Sequence, residues 1–230
     1  MPEPPIIIST RGSALALAQA NMIFDQCRAA FPRLTFEIKI IKTTGDTQQA
    51  ASLGQAGKKL PKGLFTKELE VALIRRKADI AVHSLKDLPT ELPSGLTLGA
   101  VGKREDPCDV LIYKTNANFD GPISQLGKGA VVATSSTRRQ AQLRSLRSDL
   151  RIEEIRGNVP TRLGKLAEND DLAGTLLAAA GLARLHFSIT PENRLEGDAV
   201  PEGIHAVRLD TRVMLPCVGQ AAIGIEIRAD

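Results

Sequence analysis

AVVATSSTRRQAQLRSLRSDLRIEEIRGNVPTRLGKLA, residues 130–167, is the stretch on which the fold reading turns. Ala130–Thr134 reads as a strand, Ser135–Leu146 as a helix, Ile152–Ile155 as a strand, and Val159–Ala167 as a second helix. Leu176–Ala180 extends the series with another strand. Strands and helices alternating at this spacing predict an α/β fold with mostly parallel sheets, because a parallel pair needs a crossover that a helix supplies.

The first half carries the same rhythm. Ile6–Ser9 is a β-branched run, and Thr10-Arg11-Gly12-Ser13 reads as a turn. Leu17, Ala20, Phe24, Cys27 and Phe31 then recur at helical spacing, with Ser13 as N-cap and Pro32 ending the pattern. Phe36–Ile41 alternates as a strand, and Thr43–Lys62 is polar and aperiodic, as in a functional loop. Thr66–Arg76 reads as an amphipathic helix, Asp79–His83 as a strand, and Pro89 and Pro93 forbid helix after it. Leu96–Val101 is a further strand, and the polar Gly102–Pro107 suits a crossing between domains. Ala222–Arg228 reads as a late strand returning to the first domain. The expected domains are residues 1–102 with 212–230, and residues 103–211.

The chain has 230 residues, 43% of them hydrophobic, so it can bury a sizeable core. No stretch approaches the roughly 18 apolar residues of a membrane span, and Met-Pro-Glu-Pro-Pro has no signal-peptide features, which predicts a cytoplasmic protein. Cys27, Cys108 and Cys217 are too far apart for a zinc knuckle or a disulfide framework, and His83, His186 and His205 show no ligand spacing. No metal site is expected. Aromatic residues make up only 3%, too few for a single-stranded nucleic-acid platform, so the formal charge of +4 calls for another partner.

That charge has a local source. Arg138, Arg139, Arg144, Arg147, Arg151, Arg156 and Arg162 are opposed within their stretch only by Asp149, Glu153 and Glu154, a surplus equal to that of the whole chain. Arg138 and Arg139 follow Thr134, Ser135 and Ser136 where a strand gives way to a helix, so hydroxyls, backbone N–H groups and guanidinium forks can converge on an anion. Arg156-Gly157-Asn158 ends the next strand in a similar position, with Arg162 one helical turn on. A solvated basic helix face is an equally good reading of the pattern alone. Arg144 and Arg147 are expected at the surface. Lys86-Asp87, just past a buried strand, is the second candidate: a carboxylate there can stabilise a developing cation or move protons. A turn-forming Asp beside a solvated Lys is the commoner meaning of such a pair, and His83 suits a satisfied core position.

Taken together, Ser9–Leu17, Lys62–Glu70, Ala78–Pro89, Thr134–Gln140 and Arg156–Val159 closely resemble porphobilinogen deaminase, also called hydroxymethylbilane synthase, in order and over nearly the whole chain. The resemblance implies stepwise condensation of four porphobilinogen units with release of ammonia, on a covalently bound dipyrromethane primer, in tetrapyrrole biosynthesis. Asp87 matches the family's catalytic aspartate, beside the methylene-pyrrolenine cation that loss of ammonia leaves. Arg11, Ser13, Arg138, Arg139, Arg156 and Arg162, with Thr134, Ser135, Ser136 and Asn158, would hold substrate and primer carboxylates. Lys86 and Arg184 are weaker additions. The implied fold is two α/β domains resembling type II periplasmic binding proteins, with a cleft between them.

The resemblance also implies a third domain that carries the primer on a cysteine, and the expectation here is that this domain is absent or supplied separately. Cys217 does not match the attachment cysteine and is disfavoured as a substitute; Ala221 stands where the family usually has Gly. A noncatalytic binder of porphobilinogen or another poly-carboxylate is the alternative function. Nucleic-acid binding ranks last, no membrane partner is expected, and a monomer is.

Overall fold

A computed structural model of the chain describes residues 3–43, 66–114, 123–198 and 200–230. Beyond Thr43, the loop expected over 43–62 lies outside the described residues, as do positions 62–65 of the second motif. The chain divides into two compact units, Met1–Glu105 with Val218–Asp230, and Asp106–Cys217. Residues 103–105 belong with the first unit, where Arg104 Nε donates to the Gln220 carbonyl and Glu105 N to that of Ala221. Residues 212–217 belong with the second, where fully buried Met214 joins the core and Leu215 N donates to Gln142 Oε1.

The first unit opens with β1 (Ile6–Thr10), α1 (Ala14–Ala30), β2 (Phe36–Ile40), α2 (Lys67–Ile74), β3 (Ile80–Ser84), a single 3-10 turn (Leu85–Asp87) and β4 (Leu96–Val101). The second contains β5 (Asp109–Lys114), a 3-10 turn (Ile123–Gln125), β6 (Val131–Ala133), α3 (Thr137–Leu146), β7 (Arg151–Glu153), α4 (Val159–Glu168), β8 (Leu172–Ala178) and α5 (Ala179–Arg184). It ends with the short β9 (Ser188–Ile189) and β10 (Leu195–Glu196), then β11 (Ile204–Arg208). The chain then returns to the first unit as β12 (Ile223–Arg228).

Local chemistry sets the helix limits. Ser13 Oγ accepts from Ala16 N at the start of α1, and the helix stops at Phe31, immediately before Pro32. Ser136 and Asn158 cap α3 and α4 in the same way, accepting from Arg139 N and Thr161 N, and Pro160 occupies the first turn of α4, where its missing N–H costs nothing. The spacing places Phe31 on the buried face of α1, but it lies past the last turn and is exposed; Gln19, Ala20 and Ile23 take the buried stripe.

The first sheet runs β2-β1-β3-β12-β4, with β2, β1 and β3 parallel and β12 antiparallel to both neighbours. Alternation divides its faces: Ile6, Ile8 and Val82 pack with Ala20 and Ile23 of α1, while Ile7 and Ala81 pack with Leu69, Ala72 and Leu73 of α2. The second sheet runs β11-β5-β8-β6-β7, with Val110 and Ile112 facing Leu163 and Leu166 of α4, and Leu111 and Tyr113 facing Leu143 of α3. Each leucine so enclosed contributes about 2 kcal/mol.

Both sheets are mixed rather than mostly parallel, because β5, β11 and β12 run against their neighbours. Of these, β5 and β11 have no counterpart in the sequence reading. The strand expected at Leu176–Ala180 begins earlier, at Leu172, and gives way to α5 at Ala179. Among the described residues no helix is long and apolar enough to cross a membrane.

Candidate functional site

In the first unit, parallel pairing of β1 with β3 brings two strand ends to one edge of the sheet. Ile8 pairs with Ile80 and Ser9 with Ala81, so the chain leaves β1 into Arg11-Gly12-Ser13 beside the point where it leaves β3 into Leu85-Lys86-Asp87. Carboxyl ends of parallel strands are where open α/β sheets bind ligands. Arg11, Ser13, Gln19, Thr66, His83, Ser84 and Asp87 line one pocket there. Asp87 is exposed, whereas Gln19 and Thr66 are almost wholly buried. Lys86 Nζ donates to Gln220 Oε1 at 3.3 Å, which ties the turn to the segment before β12. His83 lies within hydrogen-bonding distance of Glu226, Nε2 to Oε2 2.9 Å, with both side chains buried, as suits a satisfied core position.

The second unit repeats the device. β6, β7 and β8 are parallel, and their carboxyl ends lead into Thr134-Ser135-Ser136, Arg156-Gly157-Asn158 and α5 respectively. Arg138 Nη2 and Arg139 Nη2 donate to Asp109 Oδ2 and Oδ1 at 2.8 and 2.7 Å, and Arg139 Nη1 donates to the Leu176 carbonyl at 2.8 Å. Arg138 Nη1 donates to the Leu215 carbonyl. Arg162 Nε donates to the Gly157 carbonyl at 2.8 Å, and burial, followed by the nearby Arg139 charge, pulls the Arg162 pKa down. Arg156 pairs with Glu154 at 3.1 Å. Ser135 Oγ donates to the Ile155 carbonyl, Thr134 is buried with its Oγ1 accepting from Ser136 N, and Asn158 Oδ1 accepts from Thr161. These polar side chains shape the strand ends and cap helices. Arg184 stands half-buried in the last turn of α5.

Arg144 is exposed as expected, but Arg147 is not a solvated surface residue. Its guanidinium donates to both Asp149 carboxylate oxygens and to the carbonyls of Ile123, Ser124 and Leu126, closing the loop before β6. The fork geometry that suits arginine to anions also suits it to converging carbonyls, and only the fold distinguishes the two uses. Sequence reasoning missed Gln19, Thr66, Asp109 and Gln220. For Gln19 a signal existed: an amide on the apolar stripe of an amphipathic helix needs a buried partner.

One electrostatic pattern unites the two edges. α1, α3 and α4 have no acidic residue in the first turn, whereas α2 has Glu68 and Glu70. Among the described helices α5 also lacks a first-turn acid, but only α1, α3 and α4 combine that lack with arginine beside or within the N-terminus: Arg11 at α1, Arg138 and Arg139 at α3, Arg156 and Arg162 at α4. Positive helix ends with guanidinium groups beside them are electrostatically suited to anions.

A sequence profile described as "Porphobilinogen deaminase, dipyromethane cofactor binding domain" matches residues 6–230. The chain belongs to the porphobilinogen deaminase family. Porphobilinogen deaminase of Desulforudis audaxviator (strain MP104C) is 46% identical over 225 residues, which are 98% of this chain and 66% of that protein. The chloroplastic porphobilinogen deaminase of Euglena gracilis is 44% identical over 223 residues, 97% of this chain and 43% of its own length. The chain thus spans just under two thirds of the first of these relatives. Among solved structures, the probable amino-acid ABC transporter extracellular-binding protein ytmK from Bacillus subtilis aligns with a TM-score of 0.58 at 12% identity, over 99% of this chain and 85% of that one. The BenM effector-binding domain with benzoate aligns with a TM-score of 0.52 at 16% identity, over 100% and 86%. At such identities the likeness concerns the fold alone, which is that of type II periplasmic binding proteins, as the porphobilinogen deaminase resemblance implied.

Proposed function

We propose that this chain supplies the reacting carboxylate and the carboxylate-binding edges of a hydroxymethylbilane synthase, which joins four porphobilinogen units head to tail with loss of one ammonia each. The observation that carries the reading is the company Asp87 keeps: a lone exposed carboxylate lines a pocket with Arg11, Ser13 and the acid-free N-terminus of α1. Each porphobilinogen bears an acetate and a propionate, so a growing chain of pyrroles is a polyanion, and focused guanidinium groups suit it.

Arg11 and the N-terminus capped by Ser13 take a substrate carboxylate. Asp87 accepts hydrogen bonds from pyrrole N–H groups, stabilises the positive charge that develops as ammonia departs, and holds the proton the ring gives up. Lys86, bonded to Gln220, keeps the turn in place beside it. In the second unit Arg138, Arg139, Arg156 and Arg162 hold carboxylates, with Thr134, Ser135, Ser136 and Asn158 shaping the strand ends and capping the helices that present them; Arg184 is a further cation. The donor set fits the family's dipyrromethane: Arg138 Nε and Arg139 Nε are buried with no hydrogen-bond partner, and among the described residues Asp109 is the carboxylate that pairs with both arginines. When bound, that group supplies the nucleophilic pyrrole carbon. The same reading carries a cytoplasmic, monomeric enzyme acting on a small molecule.

The test is Asp87→Asn assayed for porphobilinogen consumption and binding. Turnover should vanish while the thermal unfolding midpoint and substrate binding stay native; near-native tetrapyrrole production would overturn the assignment. Intact mass after incubation with porphobilinogen reports any covalent dipyrromethane adduct.

A further inference from the structure

The first residue of β5 sits at the anion-binding edge of the second unit only because β5 runs against β8. Asp109 pairs with Ala178, the last residue of β8, so it comes level with the carboxyl ends of β8 and β6. Its carboxylate is completely buried and spends one oxygen on each of two consecutive arginines. Those arginines occupy the first turn of α3, at the positive end of the helix dipole, with no acid in that turn and with Arg162 close enough for Arg139 to depress its pKa. Cations in this position oppose the dipole and one another. Without an anion behind them, the two guanidinium groups would swing towards solvent.

We propose that Asp109 is a positioning residue that sets the spacing and orientation of the Arg138 and Arg139 guanidinium groups as a preformed fork for ligand carboxylates. The proposal rests on the reading of these arginines as carboxylate ligands. A guanidinium has five N–H donors. Asp109 and the carbonyls of Leu176 and Leu215 take donors from the Nη groups, while both Nε atoms have no partner. Among the described residues one carboxylate serves two guanidinium groups, which leaves the pair with a surplus positive charge, so the fork is held from behind without being fully neutralised.

The sign of one substitution separates positioning from simple attraction. Asp109→Asn keeps the shape and one acceptor oxygen but removes a negative charge, which makes the edge more positive. If the edge attracted anions by charge alone, porphobilinogen would bind more tightly. If the fork must be held, binding weakens despite the added charge, by about tenfold or more. Titration calorimetry with porphobilinogen on wild type, Asp109→Asn, Arg138→Ala and the double variant gives the answer. We expect Asp109→Asn and Arg138→Ala each to weaken binding and their combination to add little, since both remove one arrangement. Equal or tighter binding in Asp109→Asn, with Arg138→Ala still weakened, overturns the positioning role. Native affinity in Arg138→Ala overturns instead the carboxylate-ligand reading beneath it. Should Asp109→Asn fail to fold, Asp109→Glu decides: it keeps the charge but advances the carboxylate by one methylene, and native affinity in that variant defeats the proposal.

Discussion

Gln19 on α1 and Ser84 at the end of β3, 65 positions apart, fasten the two halves of the first pocket to each other. Gln19 Nε2 donates to Ser84 Oγ at 3.0 Å, and Ser84 Oγ lies 3.2 Å from Gln19 Oε1, so the hydroxyl can accept from the amide or donate to it. Gln19 is 2% exposed. Gln19→Ala therefore leaves a hole and takes away the partner of Ser84, and we expect a stability loss of about 1–3 kcal/mol. Because Ser84 immediately precedes the turn that carries Asp87, porphobilinogen consumption should fall by about tenfold, equivalent to about 1.4 kcal/mol of barrier. Chemical denaturation and steady-state kinetics check the two parts; a variant with native kcat would show that the contact serves stability only.

Gly157 carries the second expectation. Its φ is +127°, and a Cβ there would stand 2.7 Å from Thr161 Cγ2. Its carbonyl is also the acceptor for Arg162 Nε. Gly157→Ala should cost about 2 kcal/mol or more through backbone strain and collision, and should shift Arg162. Unfolding and porphobilinogen affinity are expected to worsen together. A protein with a native midpoint and native affinity would contradict the geometry.

Ala221 runs in the other direction. It holds φ +76° in a buried turn, a conformation in which a Cβ costs about 1–2 kcal/mol. Replacing it with glycine removes that strain but adds freedom to the unfolded chain, so Ala221→Gly should stabilise by roughly 0.5–1 kcal/mol. A lower urea midpoint in the variant would show that the turn is relaxed as it stands.

Acid should weaken the fold. Two bonds from Arg208, with another from Cys108 N, hold the Asp106 carboxyl down at about 2, and Arg212 does the same for Asp210. Arg147 and the Gly129 N–H keep Asp149 well below the usual carboxylate range. The unfolded carboxylates titrate near 3.9, so below that pH the unfolded chain binds protons that the folded one refuses. Stability from these groups is complete above about pH 5 and drains away as pH falls from about 4 towards 2. Because the Asp106–Arg208 pair is half exposed, solvent screens it, and Asp106→Asn should make the fall in melting temperature with acid shallower without removing it. A flat melting temperature from pH 4.5 to 2.5 would refute this.

Much of the scaffold is legible in local chemistry. Ser13 and Pro32 bracket α1, Ser136 and Asn158 announce α3 and α4, and short apolar, largely β-branched runs give β1, β3 and β6. The meeting of Arg11, Ser13 and Asp87 follows once β1 and β3 are paired in parallel. β5 has no expected counterpart: DVLIYK is buried on both faces and lacks the alternation of a half-exposed strand, and unlike β6 it does not run into a capped helix, so neither it nor Asp109 stands out in the sequence. For Arg147 only the Asp149 partner is local: the carbonyls it also holds lie some twenty positions away, in a segment whose path no local pattern reveals.

β12 has a consequence for biosynthesis. The first sheet receives a strand between β3 and β4 from residues 223–228, which follow the entire second unit. While a ribosome makes residues 106–217, roughly ten seconds at ordinary elongation rates, β3 and β4 wait as unjoined edges. The later unit has all its residues before the earlier one does, so the second unit can finish folding first although it is made second.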